Sequence, residues 1–181
     1  MTVAPLKLAF TPEEFTAYVH GLGRMEWNPS AVTIHNTFAP NLAQVDGYLA
    51  AQKWTESQLI DNWWQSYIKM GWYSGPHLFI FRDKIWVATP LTLRGTHSPS
   101  FNKSHFGIEM IGDYSKEILP DSIRKLAVHG AAVLLNKIGV PAESKSVAFH
   151  GEDPRTTHKG CPGKNVGSKE QWISAIAAKQ H

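Results

Sequence analysis

The sequence predicts an α/β fold in which a central mixed β-sheet is flanked by helices within a single domain. Short apolar segments with strand-like composition alternate with longer segments whose apolar residues recur at helical spacing. The chain has 181 residues, 43% of them hydrophobic and 18% charged, which is ordinary for one globular domain. We therefore assign residues 1–181 to one domain with a core at about 31–163, extended by an N-terminal helix and a basic C-terminal helix.

Four helices are predicted from their start signals and apolar spacing. The first follows a capping box with proline at its first position, and Phe15, Val19 and Leu22 then recur at helical spacing. The longest helix stops at Gly139, a residue type common just past helix ends. The first predicted helix begins at Thr11-Pro12-Glu13-Glu14, and the second begins at Thr55-Glu56-Ser57-Gln58. The third covers about Asp121–Ile138, and the fourth begins at Ser168-Lys169-Glu170-Gln171.

Five strands are predicted from short runs rich in β-branched and aromatic residues. Two adjacent runs form a predicted hairpin that turns at Asp83-Lys84, although the usual turn glycine is missing there. Two other strands carry histidines, His35 and His150, at or near their ends. The predicted strands are Ala31–Thr37, His77–Arg82, Ile85–Ala88, Phe106–Ile111 and Val147–His150.

Charge and hydropathy argue against several classes of protein. The first ten residues lack the basic start and long apolar run of a secretory signal, and no segment is apolar enough to span a bilayer, so we expect synthesis in the cytoplasm. From Arg155 to His181 there are five Lys or Arg against one acid. These basic side chains either form a solvated surface or make a weak contact with an anionic cell envelope. Because this C-terminal segment lacks a series of aromatic residues interleaved with the basic ones, no nucleic-acid partner is expected.

Cys161 is the only cysteine, so it cannot form a disulfide within the chain. It follows His150 by eleven residues, and His35 lies near the end of another predicted strand. Imidazole and thiolate donors suit Zn²⁺, and three protein ligands leave a fourth coordination position. Taken alone, however, Cys161 is better explained as a small buried residue and the histidines as ordinary strand-end residues. The residues by themselves leave both interpretations open.

Five segments resemble, in the same order, motifs of the type 2 family of N-acetylmuramoyl-L-alanine amidases. This family includes phage lysozyme-like amidases, muropeptide-recycling amidases and animal peptidoglycan recognition proteins. The resemblance covers roughly Ala31 to Gly163. The segments are Val32-Thr-Ile-His35-Asn-Thr; Gly75-Pro-His-Leu-Phe-Ile-Phe-Arg-Asp83; Gly95-Thr-His97 followed by Phe101-Asn102 and Phe106-Gly-Ile-Glu109-Met-Ile-Gly112; Phe149-His150; and Lys159-Gly-Cys161-Pro-Gly163.

The resemblance implies one Zn²⁺ ion held by His35, His150 and Cys161. It also implies that Lys159 stabilises the negative charge that develops on the carbonyl oxygen of the amide under attack. The alternative for Lys159 is a solvent-exposed lysine with no such task. His158 is the competing histidine ligand, and it is disfavoured because its use would displace Lys159 from the site.

The resemblance defines the general base less directly. Many relatives carry a tyrosine just before the histidine of the central strand, where this chain has Pro76, which has no ionisable group. The recycling branch instead uses a glutamate in a Gly-Ile-Glu strand, which matches Glu109. Because an acid among apolar strand residues needs a task or a partner, we assign Glu109 as the base. A partnered structural carboxylate is the alternative, and Asp113 is a less favoured substitute.

Three further residues, His77, His97 and Asn102, are expected to contact the substrate. His97 lies in a segment rich in Gly, Thr, Ser and Pro, which predicts a loop that could line the groove. For each of the three, a purely structural role explains the sequence equally well.

The predicted function is a zinc-dependent peptidoglycan hydrolase that cleaves the amide bond between N-acetylmuramic acid and L-alanine. The predicted role is a phage endolysin that acts on the host cell wall after release, and the alternative is a cytosolic amidase that recycles anhydro-muropeptides. A non-catalytic peptidoglycan-binding protein is the competing class. It is disfavoured because such relatives typically lose the cysteine ligand, which is present here as Cys161. The expected partner is a peptidoglycan or muropeptide substrate, and the expected state is a monomer.

Overall fold

One mixed sheet of six strands, with five helices, accounts for the regular structure of residues 3–180, which the computed structural model describes. The strands are β1 (Leu8–Phe10), β2 (Ala31–Asn36), β3 (Leu78–Phe81), β4 (Lys84–Val87), β5 (His105–Met110) and β6 (Val147–Phe149). The helices are α1 (Pro12–Gly21), α2 (Leu42–Gln52), α3 (Glu56–Lys69), α4 (Asp121–Lys137) and α5 (Lys169–Ala177). Within the described residues, no helix combines the length and apolar character needed to cross a membrane.

The sheet has the strand order β1-β4-β3-β5-β2-β6. Strands β3, β5, β2 and β6 are parallel to one another, whereas β1 and β4 form an antiparallel edge. The carboxyl ends of the four parallel strands therefore meet at one edge, which is where open α/β sheets bind ligands. The predicted class, a mixed sheet flanked by helices, is confirmed.

Side chains of β2 and β5 alternate between two faces of the sheet that differ in character. On one face, Ile34 and Ile108 are fully buried in a core that α4 forms together with α1 and α5. On the opposite face, a second apolar cluster joins α2 and α3 to β3 and β4, with the Trp63 ring stacked on Phe79. The polar residues of β2 and β5 lie beside this second layer.

Capping boxes begin four of the five helices. Thr11, Thr55 and Ser168 each accept a hydrogen bond from the backbone three residues later, as the sequence predicts for α1, α3 and α5. The same arrangement at Asn41 and Gln44 begins α2, which the sequence analysis does not predict. The short edge strand β1 is also not predicted.

The predicted hairpin turn at Asp83-Lys84 is wrong by one residue. Phe81 pairs with Lys84 in the ladder, so the two turn residues are Arg82 and Asp83. Arg82 takes the left-handed conformation, with φ 54°, and its guanidinium forms ion pairs with acids on α2 and α3. Those ion pairs favour Arg82 at a position that glycine or asparagine usually takes.

Candidate active site

Three parallel strands bring distant parts of the chain together at their carboxyl ends. His35 is the second-last residue of β2, and it is paired in register with Glu109 of β5. His150 follows β6 directly and begins a short 3-10 turn, rather than ending the strand as predicted. All three side chains are buried, with at most 8% of their surface exposed.

A cluster of three potential metal ligands forms at this edge. One donor atom from each of His35, His150 and Cys161 lies within 4.8 Å of the other two. The loop that carries Cys161 is tied to the His150 turn, because the Gly151 amide donates to the Cys161 carbonyl at 2.9 Å. A Cβ atom at Gly151 would lie 2.4 Å from the Lys159 carbonyl oxygen, so glycine permits this close approach.

His97 determines which nitrogen of His35 is free. The Nε2 atom of His97 donates to the carbonyl of His105 at 2.9 Å, so a neutral His97 has its lone pair on Nδ1. That Nδ1 lies 2.9 Å from Nε2 of His35, which must therefore donate the hydrogen. The lone pair of His35 is then on Nδ1. The His97 ring packs on Gly107, where a Cβ would lie 2.5 Å from its Cγ.

The same logic applies to His150 on the other side of the cluster. Its Nε2 lies 2.8 Å from the hydroxyl of Thr156, which also accepts a hydrogen bond from the His158 amide at 3.1 Å. When Nε2 of His150 donates to that hydroxyl oxygen, its Nδ1 carries the free lone pair. Hydrogen bonds that orient a histidine through its second nitrogen are typical of metal-ligating histidines.

Burial keeps the donor groups uncharged in the metal-free protein. Desolvation lowers the pKa of His150 to about 4 and places the pKa of His35 well below its usual value, so both imidazoles are neutral near pH 7. Burial raises the pKa of the Cys161 thiol to about 12. A bound cation would displace the thiol proton, because metals bind the thiolate. Two neutral imidazoles and one thiolate fit Zn²⁺.

Glu109 has a partner that the sequence analysis does not identify. The hydroxyl of Tyr67 on α3 donates to Oε2 of Glu109 at 3.1 Å. Burial raises the pKa of Glu109 to about 8, and the hydrogen bond from Tyr67 offsets only part of this rise. Tyr67 follows Leu59 and Trp63 at helical spacing on α3, and that spacing by itself indicates packing in the core. The signal that could have identified it is its hydroxyl, which needs a partner when buried.

Lys159 is exposed at the same cavity. Its ammonium donates to the backbone carbonyl of Asp153 at 2.7 Å. Asp153 is itself buried, and although burial alone would raise its pKa, hydrogen bonds from Ser98, Ser100 and Arg155 hold that pKa well below its usual range. The charged Asp153 thus joins the loop that carries Lys159 to the loop that carries His97.

A cavity of about 670 Å³ opens over the cluster. Its lining includes His35, Glu109, His150, Lys159 and Cys161, together with Tyr67 and the apolar side chains of Phe38, Met70 and Trp72. A partly apolar cavity with a few convergent polar groups is typical of a small-molecule or catalytic site.

Of the three residues predicted to contact substrate, only one lies in the cavity lining. His97 lines the cavity, but its two ring nitrogens are engaged by His35 and His105. His77 is fully buried outside the cavity lining, where it donates to the Leu93 carbonyl and accepts from the Gly107 amide. Of these two histidines only His97 lies at the cavity wall, and a contact between His77 and substrate stays a prediction.

Asn102 also has a structural position rather than one in the cavity lining. Its Oδ1 accepts hydrogen bonds of 2.7 Å from the amides of His97 and Ser98, which fixes the loop behind the cluster. A contact between Asn102 and substrate stays a prediction. His158 lines the cavity, but the three-donor cluster contains His150 in its place. The carboxylate of Asp113 is engaged by Ser115 and Lys116, which favours Glu109 as the base.

Comparison with known proteins identifies related folds. The structure resembles the N-acetylmuramoyl-L-alanine amidase LysC from Clostridium intestinale, with a TM-score of 0.63, 22% identity, and coverage of 82% of this chain and 85% of that chain. It also resembles wild-type PGRP-LB from Drosophila, with a TM-score of 0.61, 21% identity, and coverage of 80% of each chain. At these identities the likeness establishes the fold. No curated protein sequence matches the chain.

The profile of one protein family, described as N-acetylmuramoyl-L-alanine amidase, matches residues 26–164 of the sequence. The matched segment contains all three residues of the donor cluster together with Glu109 and Lys159. The match extends over most of the chain, and the observed fold agrees with it. The chain therefore belongs to the N-acetylmuramoyl-L-alanine amidase family.

Proposed function

We propose that this protein is a zinc-dependent hydrolase that cleaves the amide bond between N-acetylmuramic acid and L-alanine in peptidoglycan. The observation that carries the proposal is the cluster of His35, His150 and Cys161 beside the buried carboxyl of Glu109, in one cavity of a chain from this family. In the proposed site the two histidines and the cysteine hold one Zn²⁺ ion. When bound, zinc lowers the pKa of a water molecule and polarises a carbonyl group.

Glu109 is the proposed general base and then the general acid. It takes a proton from the attacking water at its carboxylate, and it returns that proton to the nitrogen of L-alanine as the carbon–nitrogen bond breaks. The water oxygen remains on the lactyl group with its second hydrogen as part of a new carboxyl group, which then releases that proton to solvent and becomes a carboxylate. A pKa raised to about 8 in the metal-free protein suits a group that must exchange a proton near neutral pH.

Lys159 is the proposed donor to the carbonyl oxygen. Its ammonium has three N–H groups, of which one is directed to the Asp153 carbonyl. The other two remain for an oxygen that gains negative charge in the cavity. His97 supports the same chemistry indirectly, because it holds His35 in the tautomer that presents Nδ1.

The direct test is product identification with purified protein and a muropeptide that contains N-acetylmuramoyl-L-alanine. We expect a free amine on L-alanine and a free lactyl carboxylate on the sugar in equal amounts. His35→Ala should remove both activity and bound zinc, whereas the exposed His20→Ala should change neither. Binding of the muropeptide without cleavage by zinc-loaded wild-type protein would favour the non-catalytic class instead.

We further propose an endolysin role, supported by the basic bias of the C-terminal region. The structure reduces that bias slightly, because Lys169 forms an ion pair with Glu152 at 2.9 Å. Rates on intact sacculi and on soluble anhydro-muropeptides distinguish the two roles. An endolysin should act well on sacculi, and a strong preference for the soluble anhydro-muropeptide would support the recycling amidase.

A further inference from the structure

The ring of Tyr67 is held in place from several sides. It stacks on Trp72, with ring centroids 5.1 Å apart and planes inclined by 5°, and it lies nearly parallel to Phe79 at 6.5 Å. Its edge packs on Gly75, where a Cβ atom would lie 2.8 Å from Cδ2 of Tyr67. The hydroxyl therefore has a fixed position, which distinguishes it from a surface tyrosine that turns freely.

The fixed hydroxyl is directed at one oxygen of Glu109. It donates to Oε2 at 3.1 Å, and within residues 3–180 it is the one hydrogen-bond donor to this carboxylate. Tyr67 and Glu109 both line the cavity that contains the donor cluster. Because Tyr67 comes from α3 and Glu109 from β5, this contact also joins the second helix layer to the sheet.

We propose that Tyr67 is a positioning residue that holds Oε2 of Glu109 and leaves Oε1 as the oxygen that exchanges the proton. The inference rests on the proposed function of Glu109 as the base. A phenol can donate to Oε2 whether the carboxyl group is charged or carries its proton on Oε1, so one contact serves both halves of the reaction. A donor fixed by packing keeps the carboxylate orientation that a flexible glutamate would otherwise lose.

The test is a double-mutant cycle with Tyr67→Phe, Glu109→Gln and both changes together. Tyr67→Phe should lower kcat about 10-fold, as expected for loss of a hydrogen bond to a charged group, with KM within about 2-fold. Bound zinc should remain at one ion per chain. In the Glu109→Gln background, Tyr67→Phe should cause no further loss, because residues that act through each other are not additive. Tyr48→Phe, on α2, is the matched control and should leave kcat unchanged.

Three outcomes would overturn this role. An unchanged kcat in Tyr67→Phe would show that the hydroxyl is dispensable, and losses that multiply in the double variant would show that it acts without Glu109. Loss of zinc in Tyr67→Phe would indicate a general structural role. Absence of turnover by zinc-loaded wild-type protein would instead overturn the proposed function and this role with it, so the two failures can be distinguished.

Discussion

The two faces of strand β5 differ although they belong to the same six residues. Phe106, Ile108 and Met110 face the α4 core and are fully buried among apolar side chains. Gly107 and Glu109, which alternate with them, contact His97 and Tyr67 on the opposite face. One strand therefore has two roles, since the side chains at its even positions pack in the core and those at its odd positions form part of the candidate site.

Burial of the polar side chains on one face of β5 lowers the stability of the fold, and burial of the apolar side chains on the other face offsets that loss. Burial shifts the pKa of Glu109 upward and the pKa of His97 downward to about 3, which shows that both groups would be charged more readily in water. Natural proteins accept such local cost where function requires it. Substitutions on the two faces should therefore have separable effects.

Among substitutions that leave the proposed zinc ligands in place, Glu109→Gln should have the largest effect on activity. Loss of general acid–base catalysis should lower kcat by about 100-fold to 10,000-fold. Stability should change little or rise, because a buried carboxyl group is replaced by a neutral amide of similar size. The measurements are kcat, zinc content and the free energy of unfolding, with the exposed Glu13→Gln as control. Near-normal turnover would assign the base to another residue.

Ile108→Ala, at the neighbouring position, should lower stability and leave turnover nearly unchanged. Truncation of this fully buried side chain should lower the free energy of unfolding by about 2–5 kcal/mol. Turnover per folded molecule should stay within about 2-fold, because Ile108 faces away from the cavity. Denaturant unfolding and active-site titration measure the two quantities. Ile118→Ala, at a side chain 85% exposed, is the control. A large fall in kcat without loss of stability would refute the separation of the two faces.

Lys159→Met should lower kcat by about 100-fold while zinc remains bound, because it removes the proposed donor to the carbonyl oxygen. Methionine retains much of the apolar stem, so the loop should keep its position. The exposed Lys164→Met is a matched control outside the cavity lining, and it should retain full activity. Equal activity of the two variants would remove Lys159 from the catalytic set.

The smallest expected effect is on the pH dependence of stability in the metal-free protein. His97 and His150 have folded-state pKa values of about 3 and 4, below the ordinary value of 6.5. Below pH 6.5 the unfolded chain therefore binds more protons, and stability falls as the pH falls toward those values. Each such histidine contributes about 1.4 kcal/mol per pH unit. Urea unfolding between pH 6 and pH 4 should show a shallower slope for His97→Gln, and an unchanged slope would contradict a neutral buried His97.

Much of the fold could be predicted because the features that indicate its helices and strands lie within short stretches of the sequence. Capping residues and apolar periodicity identify α1, α3, α4 and α5, and apolar runs identify five of the six strands. Helix α2 carries a capping box at Asn41 and Gln44, but its weakly patterned sequence hides it. The three-residue strand β1 depends on its pairing with β4, which no local pattern reports.

The candidate site could be predicted only through the resemblance to a family, and its supporting contacts could not. His97 and His35 are 62 residues apart, and their rings meet only because the loop of His97 packs on β5 beside β2. Tyr67 has the spacing of a core residue on α3, so periodicity assigns it to packing and gives no information about its hydroxyl. Side chains that meet through tertiary contacts leave no pattern in a single sequence.

We propose that His35, His150 and Cys161 hold a catalytic zinc ion on the polar face of the sheet. The most direct measurement is zinc content and amidase turnover of the same preparations, before chelation, after chelation and after zinc is returned. Wild-type protein should contain one zinc ion per chain, lose turnover when zinc is removed and regain it when zinc is restored. Cys161→Ala should bind no zinc and show no turnover in any preparation. Full turnover by metal-free Cys161→Ala would show that catalysis does not depend on this zinc site.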